Sequence, residues 1–350
     1  IAFLPYHHIF GSTGMLVMLA SGMKTVFPDG LKYIQKNLVE YKVSVFVGVP
    51  VLIDKMHSAI MKEVEKQGKT KLINTMIHIS NFLMKLHIDV RRKLFKPLIK
   101  ALGGNMRFII SGGAPLDKKT SKWFNDIGIH LVQGYGLTET SPVIAAEDDV
   151  SLRTNSVGKI MKSIEVRIEN KDADGMGEIV VKGPNVMLGY YEDEEATNEV
   201  MEDGYFCSGD IGRIDSDGFI YITGRSKNVI VTQNGKNIYP EEIELMLGKI
   251  PEISECMVYG KKESEDAHDK ELIITAKIIP NYTKIEELHG KNLSDDDIYK
   301  IIWDKVKENN KKLTSYKAVK KIEIKKDEFE KTTTMKIKRF AEINKDKAIK

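Results

Sequence analysis

Val43-Ser44-Val45-Phe46-Val47-Gly48-Val49-Pro50 is a run of β-branched and aromatic residues closed by a proline. A stretch apolar on both faces reads as a strand buried within a sheet, and Pro50 stops it because proline has no N–H for a ladder. Residues 106–111 repeat the pattern, and between the two runs Leu72, Met76, Ile79 and Leu83 recur at helical spacing. Strand, helix, strand in that order predicts a parallel sheet covered by helices, so residues 1–145 read as α/β. The character then changes. Over residues 150–223 short strands, Gly177–Lys182 and residues 218–223 among them, alternate with the turn signals Asp174-Gly175 and Asp217-Gly218, which predicts a small antiparallel β subdomain.

From Lys227 onward the chain reads as a smaller, lysine-rich α+β unit. Pro240-Glu241-Glu242-Ile243-Glu244-Leu245 has the proline and early acids of a helix start. Residues 271–279 read as a strand. Ser294 with Asp297 three residues later forms a capping-box pattern ahead of Ile298, Ile301 and Ile302. The boundary is placed at residues 224–227, giving a larger domain over residues 1–224 and a smaller one over residues 225–350.

Charged residues make up 29% of the 350 and hydrophobic ones 42%, the balance of an ordinary globular protein. A net charge of +3 is too small to predict a nucleic-acid partner. Cys207 and Cys256 make no disulfide framework and fit a reducing, cytoplasmic setting. No apolar run is long enough for a membrane span, and no signal peptide opens the chain. The first residue is Ile1, followed at once by patterned sequence, so the chain reads as a fragment that starts inside a folded unit. The basic stretch over residues 91–100 is a candidate for peripheral contact with an anionic membrane surface, although Pro97 and its short length favour a helix end and turn.

Gln133-Gly134-Tyr135-Gly136-Leu137-Thr138-Glu139-Thr140 carries the most chemistry. Glycines let a backbone approach a ligand, a tyrosine ring can stack on a base, and hydroxyls can donate to phosphate. Glu139 suits Mg²⁺, a hard cation that arrives with nucleotide phosphates. The bland alternative is a Gly/Thr-rich surface loop. Other signals fail. Gly68-Lys69-Thr70 lacks the first glycine of a phosphate loop, since Glu63 stands there. Asp215-Ser216-Asp217-Gly218 has the wrong spacing for a calcium loop and reads as a hairpin turn. His7-His8 has no second ligand pair for zinc, and no Gly-x-Ser-x-Gly elbow occurs.

Around this stretch lie Leu4-Pro5-Tyr6-His7-His8-Ile9-Phe10-Gly11, Ser111-Gly112-Gly113-Ala114-Pro115-Leu116, Gly177-Glu178-Ile179 and Gly189-Tyr190-Tyr191. Further on come Tyr205-Phe206-Cys207-Ser208-Gly209-Asp210-Ile211-Gly212 and Gly224-Arg225-Ser226-Lys227 leading to Gly235 and Pro240-Glu241. Lys331-Thr332-Thr333-Thr334-Met335-Lys336-Ile337-Lys338-Arg339 closes the series. This ordered set resembles the adenylate-forming superfamily of acyl-CoA synthetases, luciferases and peptide-synthetase adenylation domains, over essentially the whole chain. The long basic helical segment over residues 57–104 makes it most similar to bacterial long-chain acyl-CoA synthetases.

The resemblance implies the C-terminal part of a large adenylate-forming domain followed by a small mobile domain. It also implies a fatty acid, ATP and coenzyme A as substrates, with Mg²⁺ and AMP at the same site. Gly112, Gly113 and Ala114 would line the adenine site, with Tyr135 against the base and Gly136 beside it. Thr138 would hold phosphate and Glu139 the metal; Asp210 would accept from the ribose hydroxyls and Arg225 would sit near ribose and phosphate. Lys336 would be the mobile lysine of the first step, His8 would stand between acyl and nucleotide pockets, and Lys227 would be the hinge. Two departures stand out. Met335 replaces the glycine that usually precedes the mobile lysine, and the family's phosphate loop, normally upstream of the Leu-Pro-x-x-His segment, is not in this sequence. An adenylation enzyme for an aryl or amino acid, and a non-catalytic nucleotide- or acyl-binding module, stay open beside the fatty acid reading.

Overall fold

The computed structural model describes residues 1–148, 152–153, 155–232, 235–262, 272–332 and 336–348. Contacts divide the chain into two units, one of residues 1–208 and 213–222, the other of residues 209–212 and 223–350.

The first unit opens with α1 (Ile9–Ala20), α2 (Ile34–Glu40), β1 (Val45–Gly48), α3 (Pro50–Lys66) and α4 (Thr70–Lys85). It continues through α5 (Arg91–Leu94), α6 (Lys96–Lys100), β2 (Phe108–Ser111), α7 (Lys118–Asp126), β3 (His130–Gly136), β4 (Val143–Ala146) and β5 (Lys159–Ile160). These five strands form one sheet in chain order. β1, β2 and β3 run parallel, Val45 facing Phe108 and Phe108 facing His130, whereas β4 and β5 turn back antiparallel. Helical crossovers join the parallel strands, as parallel pairing requires. Phe46, Ile53, Phe95, Ile109, Phe124 and Leu131, each almost fully buried, lie in the core they share. Burying side chains of this size contributes roughly 1.5–3 kcal/mol apiece.

Pro50 stops the strand as expected and opens α3, where its missing N–H costs no hydrogen bond. α4 also forms where the spacing places a helix, but a different face is covered. Ile73 and Ser80 are buried and Met76 and Ile77 pack on the core, whereas Leu72 and Ile79 are exposed. The helix is apolar on more than one side, so spacing alone did not choose the face. Over residues 91–100 the helix-end reading is the observed form: two short helices, the second with Pro97 in its first turn. The Arg92 guanidinium donates to the carbonyls of Met106 and Gly128 at 2.8 and 3.1 Å, and Arg91 donates to that of Asn125 at 3.0 Å. These two cations tie the turn to the strand ends.

The chain then forms β6 (Glu165–Glu169), β7 (Gly177–Lys182), α8 (Glu194–Val200), β8 (Met201–Glu202), β9 (Tyr205–Ile214) and β10 (Ile220–Arg225). Their sheet has the order β10-β9-β7-β6, with β8 against β9. The turn readings hold. Asp172 Oδ1 accepts from the N–H groups of Asp174 and Met176, with Gly175 at φ 74°. Asp215 Oδ1 does the same for Asp217 and Phe219, with Gly218 at φ 82°. That second turn keeps Gly218 out of the ladder, so β10 starts two residues later than its sequence pattern.

The second unit adds β11 (Ile230–Val231), β12 (Asn237–Ile238), α9 (Pro240–Leu247), β13 (Ile253–Lys262), β14 (Leu272–Pro280), α10 (Tyr282–His289), α11 (Asp295–Asn310), β15 (Lys321–Ile324) and α12 (Arg339–Ala348). β13 and β14 are antiparallel and β15 joins β14 in parallel. Ile243, Val258, Ala276, Ile302 and Val306 lie in its core. The capping box is present: Ser294 Oγ accepts from the Asp297 N–H at 3.2 Å while Asp297 Oδ2 accepts from the Ser294 N–H at 3.1 Å. Ser294→Ala is therefore expected to destabilise this unit by about 1 kcal/mol in a urea titration, and an unchanged midpoint would remove the cap from the account. Among the described residues no helix is long and apolar enough to cross a membrane.

Candidate active site

In the first unit two of the quoted motifs lie at the carboxyl ends of neighbouring parallel strands, where open α/β sheets bind ligands. Ser111 ends β2, and Gly112, Gly113 and Ala114 lead to Asp117, whose Oδ1 caps α7 by accepting from Lys119 and Thr120. Gly113 sits at φ 83°, a left-handed conformation that disfavours a side chain, and a Cβ there would point into open space. Gly112 is covered by the Phe10 ring, 3.0 Å from where its Cβ would lie. Phe10 thus brings the Leu4–Gly11 motif onto the glycine turn. His8 is half-buried and caps α1, its Nδ1 accepting from the Phe10 N–H at 3.2 Å.

The eight-residue motif leaves β3 and turns through Thr138–Thr140. Its hydroxyls have unlike roles. Thr140 is fully buried; its Oγ1 donates to the Pro142 carbonyl at 2.9 Å and accepts from the Leu137 N–H at 3.0 Å. Thr138 is exposed. At Gly136 a Cβ would lie 1.6 Å from the Pro142 carbonyl oxygen, so this glycine lets two backbone segments touch. Asn185, to which no role was assigned from sequence, donates to the Thr140 carbonyl at 2.8 Å. Tyr135 packs with Ile144, Ile179 and Ile220 and keeps 9% of its surface open.

Glu139 Oε1 accepts from the Tyr190 hydroxyl at 3.1 Å, and the Glu139 carbonyl accepts from the Met187 N–H at 2.8 Å. The Tyr190 residue of the Gly-Tyr-Tyr segment therefore reaches the motif, a pairing sequence reading did not give. Burial, then Glu139 itself, raises the Tyr190 pKa and keeps the phenol a donor. Among the described residues no group of three His, Cys, Asp or Glu is placed to hold a metal. One half-buried carboxylate fits Mg²⁺ of the kind that keeps its waters and shares phosphate oxygens.

At the motif's start the Gln133 N–H donates to Glu147 Oε2 at 2.9 Å, and Glu147 N–H returns a bond to the Gln133 carbonyl at 2.8 Å. Burial pushes the Glu147 carboxyl up to about 7, against the hydrogen bonds from Gln133. This residue too was missed, since nothing in the local sequence marks a buried carboxylate.

The second unit gathers three other predicted residues. Asp210, on β9, is buried, and Arg225, at the end of β10, donates through Nε to its Oδ1 at 2.8 Å. Lys336 shares their electrostatic surroundings: burial and then Arg225 lower its pKa, while Asp210 raises it. Lys336 is crowded by its neighbours yet part of it still meets water, which moderates the shift. Lys336 closes a hairpin in which the Thr332 N–H donates to the Lys336 carbonyl at 2.8 Å and Lys331 bridges Ile337. Met335, read as a departure from the family pattern, lies outside the described residues. Lys227 is in the exposed turn Ser226–Asn228, and Gly235 follows β11 at φ 70°.

Comparison with known proteins gives the family. The family model described as AMP-binding enzyme matches residues 1–191, and that described as AMP-binding enzyme C-terminal domain matches residues 227–345. The long-chain-fatty-acid–CoA ligase FadD15 of Mycobacterium bovis is 30% identical across 97% of this chain. The long-chain-fatty-acid–CoA ligase ACSBG2 of Rattus norvegicus is 33% identical across 84%. The chain spans 59% of the length of the first and 46% of the second. ATP-bound MatB from Rhodopseudomonas palustris has the same fold, with a TM-score of 0.70 at 24% identity over 99% of this chain and 60% of its own. The chain belongs to the AMP-binding enzyme family.

Proposed function

We propose that the chain carries most of the adenylate-forming centre of a ligase that joins a long-chain fatty acid to coenzyme A. The observation that carries the reading is the grouping of Asp210, Arg225 and Lys336, a carboxylate with two cations that suits a ribose-phosphate. The similarity to long-chain-fatty-acid–CoA ligases favours a fatty acid as the substrate.

In this reading the turn of Gly112, Gly113 and Ala114 receives adenine, with Tyr135 against the base. Asp210, acceptor-only when ionised, takes the ribose hydroxyls, and Arg225 lies towards the phosphate. The fatty acid carboxylate attacks the α-phosphorus, the bond to the bridging oxygen breaks, and pyrophosphate leaves with the electron pair. Lys336 places its ammonium between carboxylate and α-phosphate, where negative charge builds. Thr138 donates to phosphate. Glu139, oriented by Tyr190, would hold Mg²⁺, which neutralises phosphate charge when bound. His8 separates acyl and nucleotide ends. In the second step the coenzyme A thiolate attacks the acyl carbon and AMP departs. The moving part in this reading is residues 225–350, with Lys227 as pivot carrying Lys336 out and the Gly235 loop in.

The test is acid-dependent ATP–pyrophosphate exchange on the full-length gene product. Exchange with palmitate should exceed that with benzoate or amino acids by at least about 100-fold, the upper part of the range that a single methylene discriminates. Exchange with aryl or amino acids and none with fatty acids would replace the substrate. AMP binding without exchange for any acid would make the protein a nucleotide-binding module.

A further inference from the structure

Lys336 and Arg225 come from opposite ends of the second unit, yet both are fastened to the same turn of α9. Glu244 of α9 receives the Arg339 guanidinium through Nη2, and Glu241 lies 3.8 Å from the same nitrogen. Arg339 Nη1 also donates to the Val258 carbonyl at 3.0 Å, while the Val258 N–H donates to Glu244 Oε1 at 2.6 Å. The fork of Arg339 thus joins the foot of the Lys336 hairpin to α9 and β13 together. On the other side Asn228 Nδ2 donates to Glu241 Oε1 at 2.6 Å. Asn228 ends the turn that follows Arg225. At Gly224 a Cβ would lie 2.7 Å from Glu241 Oε2, so the strand end also rests on this carboxylate.

The rest of the hairpin foot is fixed independently. Lys331 pairs with Glu255 at 2.6 Å and Lys338 with Glu330 at 2.7 Å, while Phe329, Ile337 and Ile343 pack with Met257, Tyr259 and Ile279. Of these contacts, Arg339 alone reaches the helix that also holds the Arg225 turn. Arg339 and Glu244 keep only 18% and 17% of their side-chain surface exposed, so this pair is less screened than an ordinary surface bridge.

We infer that Glu241 and Glu244 of α9, acting through Asn228 and Arg339, form a bracket that sets Lys336 against Arg225 and Asp210. Arg339 is then a positioning residue for the first half-reaction, and no part of the bracket touches substrate. A displacement of about 1 Å at a reacting group costs on the order of 100-fold in rate, which makes such a bracket worth building. The inference rests on the proposed role of Lys336, and the test separates the two.

Arg339→Gln removes the fork, and Arg339→Lys keeps the charge but cannot reach Glu244 and Val258 together. In the full-length protein, Arg339→Gln should lower acid-dependent ATP–pyrophosphate exchange by about 10- to 100-fold. Thioester formation from supplied acyl-adenylate, the step in which the proposed swing takes Lys336 away, should stay within about threefold, and Arg339→Lys should fall between the two. Deuterium uptake over residues 329–339 reads the bracket without turnover and should rise in Arg339→Gln, with the rest of the unit unchanged. Unchanged uptake overturns the bracket whatever the activity does. Equal loss of both half-reactions with a lower unfolding midpoint makes Arg339 a general structural residue and also overturns it. Raised uptake in a protein that performs no acid-dependent exchange in any form leaves the bracket standing and removes the proposed function.

Discussion

Lys336→Met is expected to lower acid-dependent ATP–pyrophosphate exchange by about 100- to 1,000-fold, the loss that follows removal of one preorganised stabiliser of developing charge. Methionine keeps the length of the stem and deletes the ammonium, so packing at the hairpin changes little. Arg225 is paired with Asp210 and Lys336 feels both charges, and bringing two cations together is unfavourable until a polyanion arrives. Burial first, and then the Arg225 charge, lower the Lys336 pKa. The consequence is an alkaline limb of the exchange reaction that begins below the ordinary lysine value of 10.5, because the charged form is lost earlier as pH rises. Thioester formation from supplied acyl-adenylate should be nearly unaffected. A variant equally slow in both half-reactions, or fully active in exchange, would end the assignment.

Glu147→Gln is expected to flatten the pH dependence of stability. The carboxyl has an ordinary value of 4.5 and reaches about 7 in the folded chain, chiefly through burial. Below pH 4.5 both folded and unfolded forms carry the proton and the site is at its most favourable. As pH rises the unfolded chain ionises first, and stability falls until the folded carboxyl also ionises near pH 7. The full difference corresponds to about 3 kcal/mol. Glutamine keeps an acceptor for the Gln133 N–H and never ionises. The variant should therefore match the parent below pH 4.5 and exceed it by about 1–3 kcal/mol at pH 8 in urea titrations. Parallel curves for the two proteins would show that Glu147 ionises without penalty.

Much of the fold could be read from short-range chemistry. The proline that opens α3, the Ser294 cap and the aspartate–glycine turns act within a few residues, and each is where its local pattern placed it. The covered face of α4 was not readable, because apolar residues line several sides of it and only its neighbours select one. The chemistry of the site was readable as residue types in order. Its partners were not. Tyr190 meets Glu139 across 51 positions and Arg339 meets Glu244 across 95, and nothing local encodes either pairing. The two threonines of the motif show the same limit. One turned inward to bond Pro142 and the other stayed exposed, a choice made by the path of the backbone after the turn.

The second unit takes residues 209–212 from the middle of β9 and everything from residue 223 onward, so its chain is in two pieces. An excision beginning at Thr223 would keep Arg225 and Lys336 and discard the carboxylate that pairs with Arg225 and raises the Lys336 pKa. The isolated piece would hold both positive charges without Asp210. Its behaviour would report repulsion rather than the site. Any dissection of this protein into its halves has to carry the middle of β9 along, or it will measure a centre the intact chain never contains.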